Sequence, residues 1–142
     1  MIMMIVNAEK MVAGRLSSKI AKALINGETI TIVNAENAVL VGGKEDLLKK
    51  FTARVDAAVH SNPHYGPKYD RIPSKMLRKM VKGMLPNKSR TNERLISNLK
   101  VYNSVPKEFA EQEFAKIDGV MFNERNYALT LGEIAKLLGG KW

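Results

Sequence analysis

Hydrophobic and polar positions follow two periods along this chain, and the switches between them mark out the elements. Ile2 to Val6 is a short, fully apolar run that predicts a strand, and Asn7-Ala8-Glu9-Lys10 leaves it as a loop. From Gly14 to Asn26, Leu16, Ile20, Ala23 and Leu24 recur at helical spacing, with Arg15, Lys19 and Lys22 on a separate basic stripe. Asn26-Gly27 is a usual helix stop. Glu28-Thr29-Ile30-Thr31-Ile32-Val33 is rich in β-branched residues and predicts a second strand. Strand, helix and strand in about thirty residues make a βαβ unit, which places the two strands parallel with a right-handed crossover.

Asn34 to Ala38 is a brief connection to a third strand, Val39-Leu40-Val41. It is shorter than the dozen or so residues of a parallel crossover. The third strand is therefore either antiparallel to its neighbour or reached through a single helical turn. A helix from Glu45 to about His60 carries Leu47, Leu48, Phe51, Val55, Ala58 and Val59 at helical spacing, with Glu45 and Asp46 in its first turn. Pro63, Gly66, Pro67 and Pro73 then break the pattern into a long loop. Pro73-Ser74 opens a helix to about Gly83, stopped by Gly83 and Pro86. Thr91 to Lys100 predicts a short helix around Leu95, Ile96 and Leu99, and Val101-Tyr102 a fourth strand. Between Val105 and Asn126, Phe109, Phe114, Ile117, Val120 and Phe122 anchor an extension, with Glu108, Glu111 and Glu113 on a solvated helix face. Thr130 and Glu133 have capping-box spacing ahead of Ile134, Ala135, Leu137 and Leu138, so a last helix ends at Gly139-Gly140.

Charge changes this picture from a fold to a surface. The 142 residues carry a net charge of +9, with a pI near 9.8. Between Lys68 and Arg94 stand nine cations, Lys68, Arg71, Lys75, Arg78, Lys79, Lys82, Lys88, Arg90 and Arg94, against Asp70 and Glu93, a local net charge of +7. At about 100° per residue, Met76, Leu77, Met80, Val81 and Met84 fall on one side of the helix and Lys75, Arg78, Lys79 and Lys82 on the other. A basic helix face can be plain solvated surface. Charge of this density with almost no compensating acids repels itself, and that favours a polyanion site, nucleic acid first and an anionic membrane surface second.

Other chemistry is thinner. No apolar run reaches the ~18 residues of a membrane span, and the opening apolar run is too short for a signal peptide and has no basic lead, so a cytosolic protein is expected. There is no cysteine, which removes disulfides and thiolate sites. Gly42-Gly43-Lys44 lacks the glycine spacing and the Ser or Thr of a phosphate-binding loop, and Glu45 and Asp46 oppose an anion, so it reads as a helix start. The turn before Gly14 lacks the dinucleotide pattern. His60 and His64 are separated by Asn62-Pro63, a poor metal site. No catalytic constellation, cofactor or small-molecule substrate is expected. His64, Tyr65 and Tyr69 sit among cations in the long loop, where they either stack on RNA bases or pin the loop to the core.

Val81-Lys82-Gly83-Met84-Leu85-Pro86, with basic residues after it and then Leu99-Lys100-Val101-Tyr102, closely resembles the signature of the universal family of large-subunit ribosomal proteins numbered thirteen. Ile5-Val6-Asn7-Ala8-Glu9, Gly14-Arg15-Leu16, Val33-Asn34-Ala35-Glu36 and Val41-Gly42-Gly43-Lys44 match its N-terminal half in order, and the resemblance runs to about Asp118. The short Asn26-Gly27-Glu28 connection and Arg71-Ile72-Pro73-Ser74-Lys75 resemble the archaeal and eukaryotic branch. Asn92 stands where the family usually has Gly, Asn87 replaces a common His or Lys, and Asn103-Ser104-Val105 replaces a Gly-containing turn.

The resemblance implies a single α/β domain over 1–142. Its core, about 1–104, is a three-layer α/β/α arrangement with a four-stranded, largely parallel sheet and a basic helix-loop, followed by a C-terminal extension, 105–142. It implies a non-catalytic constituent of the large ribosomal subunit in the cytoplasm, bound to large-subunit ribosomal RNA beside other ribosomal proteins and supporting subunit assembly. The charge map supplies the RNA contacts: Lys68, Arg71, Lys75, Arg78, Lys79, Lys82, Lys88, Arg90 and Arg94, then Arg15, Lys19 and Lys22, with His64 and Tyr65. The alternative is a free RNA-binding translational regulator that uses the same face.

Overall fold

A computed structural model describes residues 3–142; the expected start of the first strand at Ile2 lies outside the described residues. Strand β1 (Met3–Asn7), helix α1 (Ala13–Ile25) and strand β2 (Thr29–Val33) form the expected βαβ unit. β1 and β2 pair in parallel, Met3 opposite Thr29 through Asn7 opposite Val33. Helix α1 ends where Asn26-Gly27 is expected to end it. The Gly27 amide bonds to the Leu24 carbonyl and the Glu28 amide to Ala23, the paired bonds of a Schellman motif.

Strand β3 (Val39–Val41) corrects the expected sheet. A single 3-10 turn, Ala35–Asn37, carries the chain away from β2, so β3 never enters the main sheet. It pairs antiparallel with β5 (Ala128–Thr130), Val39 opposite Thr130 and Val41 opposite Ala128. A helical turn does make the connection, and β3 is antiparallel to its neighbour, but that neighbour is β5 and not β2. The main sheet is three parallel strands in the order β1-β2-β4, where β4 is Leu99–Val101. A second, two-stranded sheet stands apart from it, in place of one four-stranded sheet.

Between β3 and β4 lie α2 (Lys44–Asp56), α3 (Pro73–Met84) and α4 (Ser89–Ser97); α5 (Leu131–Leu137) follows β5. Helix α2 stops four residues before the expected His60. Its spacing continues through Ala58 and Val59, but both are exposed. The loop instead folds back so closely that a Cβ at Gly66 would meet the Val59 amide at 3.2 Å. Leu99 leaves its expected helix for β4, because the Asn98 carbonyl already accepts from Ile30 in the sheet. Glu108, Glu111 and Glu113 are exposed, and only Lys107–Phe109 turns, as a 3-10 segment.

The strands alternate between two apolar clusters. Val6, Ile30, Ile32 and Leu99 face Leu16, Ile20, Leu24, Met76, Leu77, Val81 and Ile96 from the helices, in a cluster that also holds Leu131, Ile134 and Ala135 of α5. Ile5 and Val33 point the other way, onto Tyr102, Val105, Phe109 and Phe114. That second cluster contains no residue of an α-helix, so the extension takes the place of the expected third layer. Three asparagines finish the carboxyl ends of the parallel strands. Asn34, at φ 56°, donates its side-chain amide to Asn7 Oδ1 at 3.0 Å, and Asn103 Oδ1 accepts from the Ser74 amide at 2.9 Å. The crevice in which such sheets bind coenzymes is thus tied up by the chain's own groups.

Candidate nucleic-acid interface

Helix α3 is built to keep one side dry and the other charged. Pro73 at its first position needs no hydrogen-bond partner for a missing N–H, and Asn103 reaches across from the end of β4 to satisfy Ser74. Met76, Leu77 and Val81 are fully buried, and α3 packs mainly against α1. Lys75, Arg78, Lys79 and Lys82 are all exposed. The chain turns at Leu85, which is buried, and Pro86, and α4 begins with no acid in its first turn. Asn92 of α4 fastens this turn, donating its side-chain amide to the Lys82 carbonyl at 3.3 Å and the Pro86 carbonyl at 3.2 Å. Lys79, Lys82, Gly83, Asn87, Ser89, Asn92 and Glu93 line a crevice of about 480 Å³ between the two helices.

The cations differ in their contacts within the chain. Arg78 donates to the Ile96 carbonyl at 3.2 Å, in the last turn of α4, where a positive charge also suits the helix dipole. Lys79 donates to the Lys68 carbonyl at 3.2 Å and lies 4.5 Å from the centre of the Tyr69 ring. These two hold neighbouring segments to α3. Lys75, Lys82, Lys88, Arg90 and Arg94 present exposed side chains from α3, the turn and α4, and Lys68 and Arg71 do so from the chain leading into α3. On α1, Arg15, Lys19 and Lys22 are exposed opposite buried Leu16, Ile20 and Leu24. Helix α1 packs on α3.

The loop aromatics separate as well. Tyr69 is half-buried, tilted against Phe51 at 6.0 Å between ring centres, and pins the loop to α2. Tyr65 is 69% exposed at the loop tip. His64 is exposed beside it, in a turn where its amide bonds to Asn62 Oδ1 at 3.1 Å. Gly43 stands at the N-cap of α2 with Glu45 and Asp46 in the first turn, which puts carboxylates where a phosphate would sit. Among the described residues no group of three or more His, Asp or Glu could hold a metal ion, and no helix is long and apolar enough to cross a membrane.

The charge map overlooked Arg54. Its guanidinium lies 5.4 Å from the centre of the Phe51 ring and 5.7 Å from that of Tyr69, which brings α2 up to the basic region. In the sequence, Lys44, Lys49, Lys50 and Arg54 are nearly balanced by Glu45, Asp46 and Asp56, so α2 reads as mixed surface. The one available signal is the four-residue step from Lys50 to Arg54 on the face of Phe51.

The family model for ribosomal protein L13 matches residues 2–108. A large ribosomal subunit protein uL13 from Methanosphaera stadtmanae is 39% identical over 139 residues, covering 97% of this chain and 98% of its own. The proteins of the same name from Methanococcus maripaludis and Methanocaldococcus jannaschii are 38% and 36% identical, each over 99% of this chain and the whole of their own. The family's model spans most of the chain, and these relatives align from end to end: the chain belongs to the ribosomal protein L13 family.

Proposed function

We propose that this chain is a structural, non-catalytic constituent of the large ribosomal subunit, held there by large-subunit ribosomal RNA on the surface formed by α3, the Leu85–Lys88 turn and α4. The observation that carries this reading is the separation of charge from core along that surface. Most of the surplus charge of the protein lies between Lys68 and Arg94, and its cations are exposed over a buried row of Met76, Leu77, Val81 and Ile96. A crevice between two helices with lysines on its wall suits a sugar-phosphate backbone better than a base edge. Arg15, Lys19 and Lys22 widen the surface, and Tyr65 and His64 offer rings to an unpaired base. Neighbouring ribosomal proteins meet the remaining surface, and the protein supports assembly by fixing RNA segments in place.

The test separates binding from folding. Lys75, Lys82, Lys88 and Arg90 are changed together to Gln, sparing Arg78 and Lys79, whose side chains also bond to the Ile96 and Lys68 carbonyls. Affinity for in vitro transcribed large-subunit ribosomal RNA is then measured across a salt series. Each phosphate contact contributes roughly 0.7 to 0.9 to the log-log salt slope, so the variant's slope is expected to be about 3 shallower. An unchanged slope in a folded variant rejects the surface. Sedimentation of the native protein with large subunits, and not as free protein on messenger RNA, separates the ribosomal role from that of a free regulator.

A further inference from the structure

We infer that the RNA-binding surface continues from α3 onto α2 through a phosphate clamp formed by Arg54 and Lys79 on either helix around Tyr69. The inference rests on the RNA reading above and adds a site to it. The Arg54 guanidinium and the Lys79 ammonium lie 5.7 Å and 4.5 Å from the centre of one ring. Their separation is therefore at most about 10 Å, within roughly one Debye length at 0.1 M salt. Two cations so placed repel each other. One would suffice to cap the ring and hold the loop.

The contacts of this pair are the Phe51 and Tyr69 rings and the Lys68 carbonyl, none of them anionic. The acids nearest in sequence are Asp56, two residues beyond Arg54, and Asp70, beside Tyr69, both exposed, and Glu93 shares the wall of the α3–α4 crevice with Lys79. Both cations are themselves exposed at their helix surfaces. A backbone phosphate on the solvent side of the ring can take both, its oxygens accepting from the planar donor fork of the arginine and from the lysine ammonium. Lys79 also lines the α3–α4 crevice with Lys82 and Ser89. The clamp is thus continuous with the crevice, and one RNA strand can follow the track from Arg54 past Lys79 to Lys82 and the start of α4.

The test uses the full chain and in vitro transcribed large-subunit ribosomal RNA. Arg54→Gln is expected to make the log-log salt slope shallower by about 0.7 to 0.9, one phosphate. Arg54→Lys keeps the slope, because the charge remains on the ring. A role confined to pinning the loop would lower thermal stability without moving the slope. In the unsubstituted protein, Arg54 is expected to react with phenylglyoxal when free and to be protected in the complex, a readout that does not depend on a variant folding. Equal modification of Arg54 with and without RNA, or an unchanged slope in Arg54→Gln, overturns the clamp. If Lys75→Gln with Lys82→Gln still flattens the slope, the α3–α4 reading survives that loss; if neither set of substitutions moves it, the RNA reading falls as well.

Discussion

Among the described residues, two adopt left-handed backbone without being glycine, Lys10 and Asn34, both at φ 56°. Asn34 is suited to it, since a short amide tolerates the conformation and here bonds to Asn7. Lys10 gains nothing comparable from its side chain, while its backbone is fixed by bonds from its amide to the Asn37 carbonyl and from the Phe122 amide to its own carbonyl. Left-handed backbone costs an ordinary L-residue roughly 1–2 kcal/mol, and glycine returns some of that as chain entropy. Lys10→Gly is expected to stabilise the protein by about 0.5–1 kcal/mol in denaturant unfolding; a loss of stability would mean that the lysine side chain contributes. Asn92 runs the other way. It makes two hydrogen bonds across the α3–α4 turn, while its buried Oδ1 finds no partner. The orphaned acceptor subtracts from the gain of the two bonds, so Asn92→Ala is expected to cost only about 1 kcal/mol. A cost of several would mean that the turn itself comes apart. The departure from glycine at this position, visible in the sequence as an anomaly, is a clasp whose purpose emerges only when Lys82 and Pro86 are seen beside it.

Among the elements, those with a long one-sided pattern were legible and those held by distant partners were not. Leu16, Ile20 and Leu24 fixed α1 to within a residue. Met76, Leu77 and Val81 did the same for α3, and Thr130 with Glu133 forms both bonds of the expected capping box. Strand β5 has only three residues and gains its pairing from β3, nearly ninety positions earlier, a contact with no local signature. Helix α2 was read too long because periodicity registers apolar spacing and not whether a core awaits it. The basic face was legible as charge, but not which of its cations also bond within the chain: nothing in the spacing of Arg78 and Lys79 points to the Ile96 and Lys68 carbonyls. Helix α5 ends in a Schellman motif, with Gly139 at φ 87° donating to Lys136 and Gly140 to Ala135. The two glycines serve different needs: Gly139 supplies the left-handed turn, whereas a Cβ on Gly140 would collide with the Arg71 carbonyl. Gly83, inside α3, has open space around it. Gly140→Ala is therefore expected to destabilise by about 1–3 kcal/mol through overpacking, and Gly83→Ala to stabilise by up to about 1 kcal/mol through helix propensity. Thermal melts of the two variants moving in the same direction would refute this distinction.

At the scale of the whole molecule, the C-terminal third is part of the architecture that presents the basic surface. Leu131, Ile134 and Ala135 are fully buried in the same cluster as Leu16 and Met76, and Val120 is buried with them. Phe109 and Phe114 cover the opposite face of the sheet. The Ala115 amide bonds to the Ile5 carbonyl at 2.7 Å, along the free edge of β1. Gly140 lies against Arg71, two residues before α3, and Trp142 donates to Glu36 Oε2 at 3.1 Å. Burying a leucine, isoleucine or phenylalanine side chain contributes roughly 1.5–3 kcal/mol. Three such residues, Phe109, Leu131 and Ile134, therefore contribute about 4.5–9 kcal/mol, comparable with the ~5–15 kcal/mol that holds a domain together. A chain ending at residue 104 keeps nearly every cation of the proposed interface and loses these side chains. It is expected to show no cooperative thermal transition and no near-ultraviolet dichroism from fixed aromatic rings, and to bind RNA only as a basic polymer, with equal affinity for ribosomal and unrelated RNA. A cooperative melt with preference for ribosomal RNA would mean instead that the three-stranded sheet and its helices are self-sufficient, and that the extension is an attachment to a finished domain.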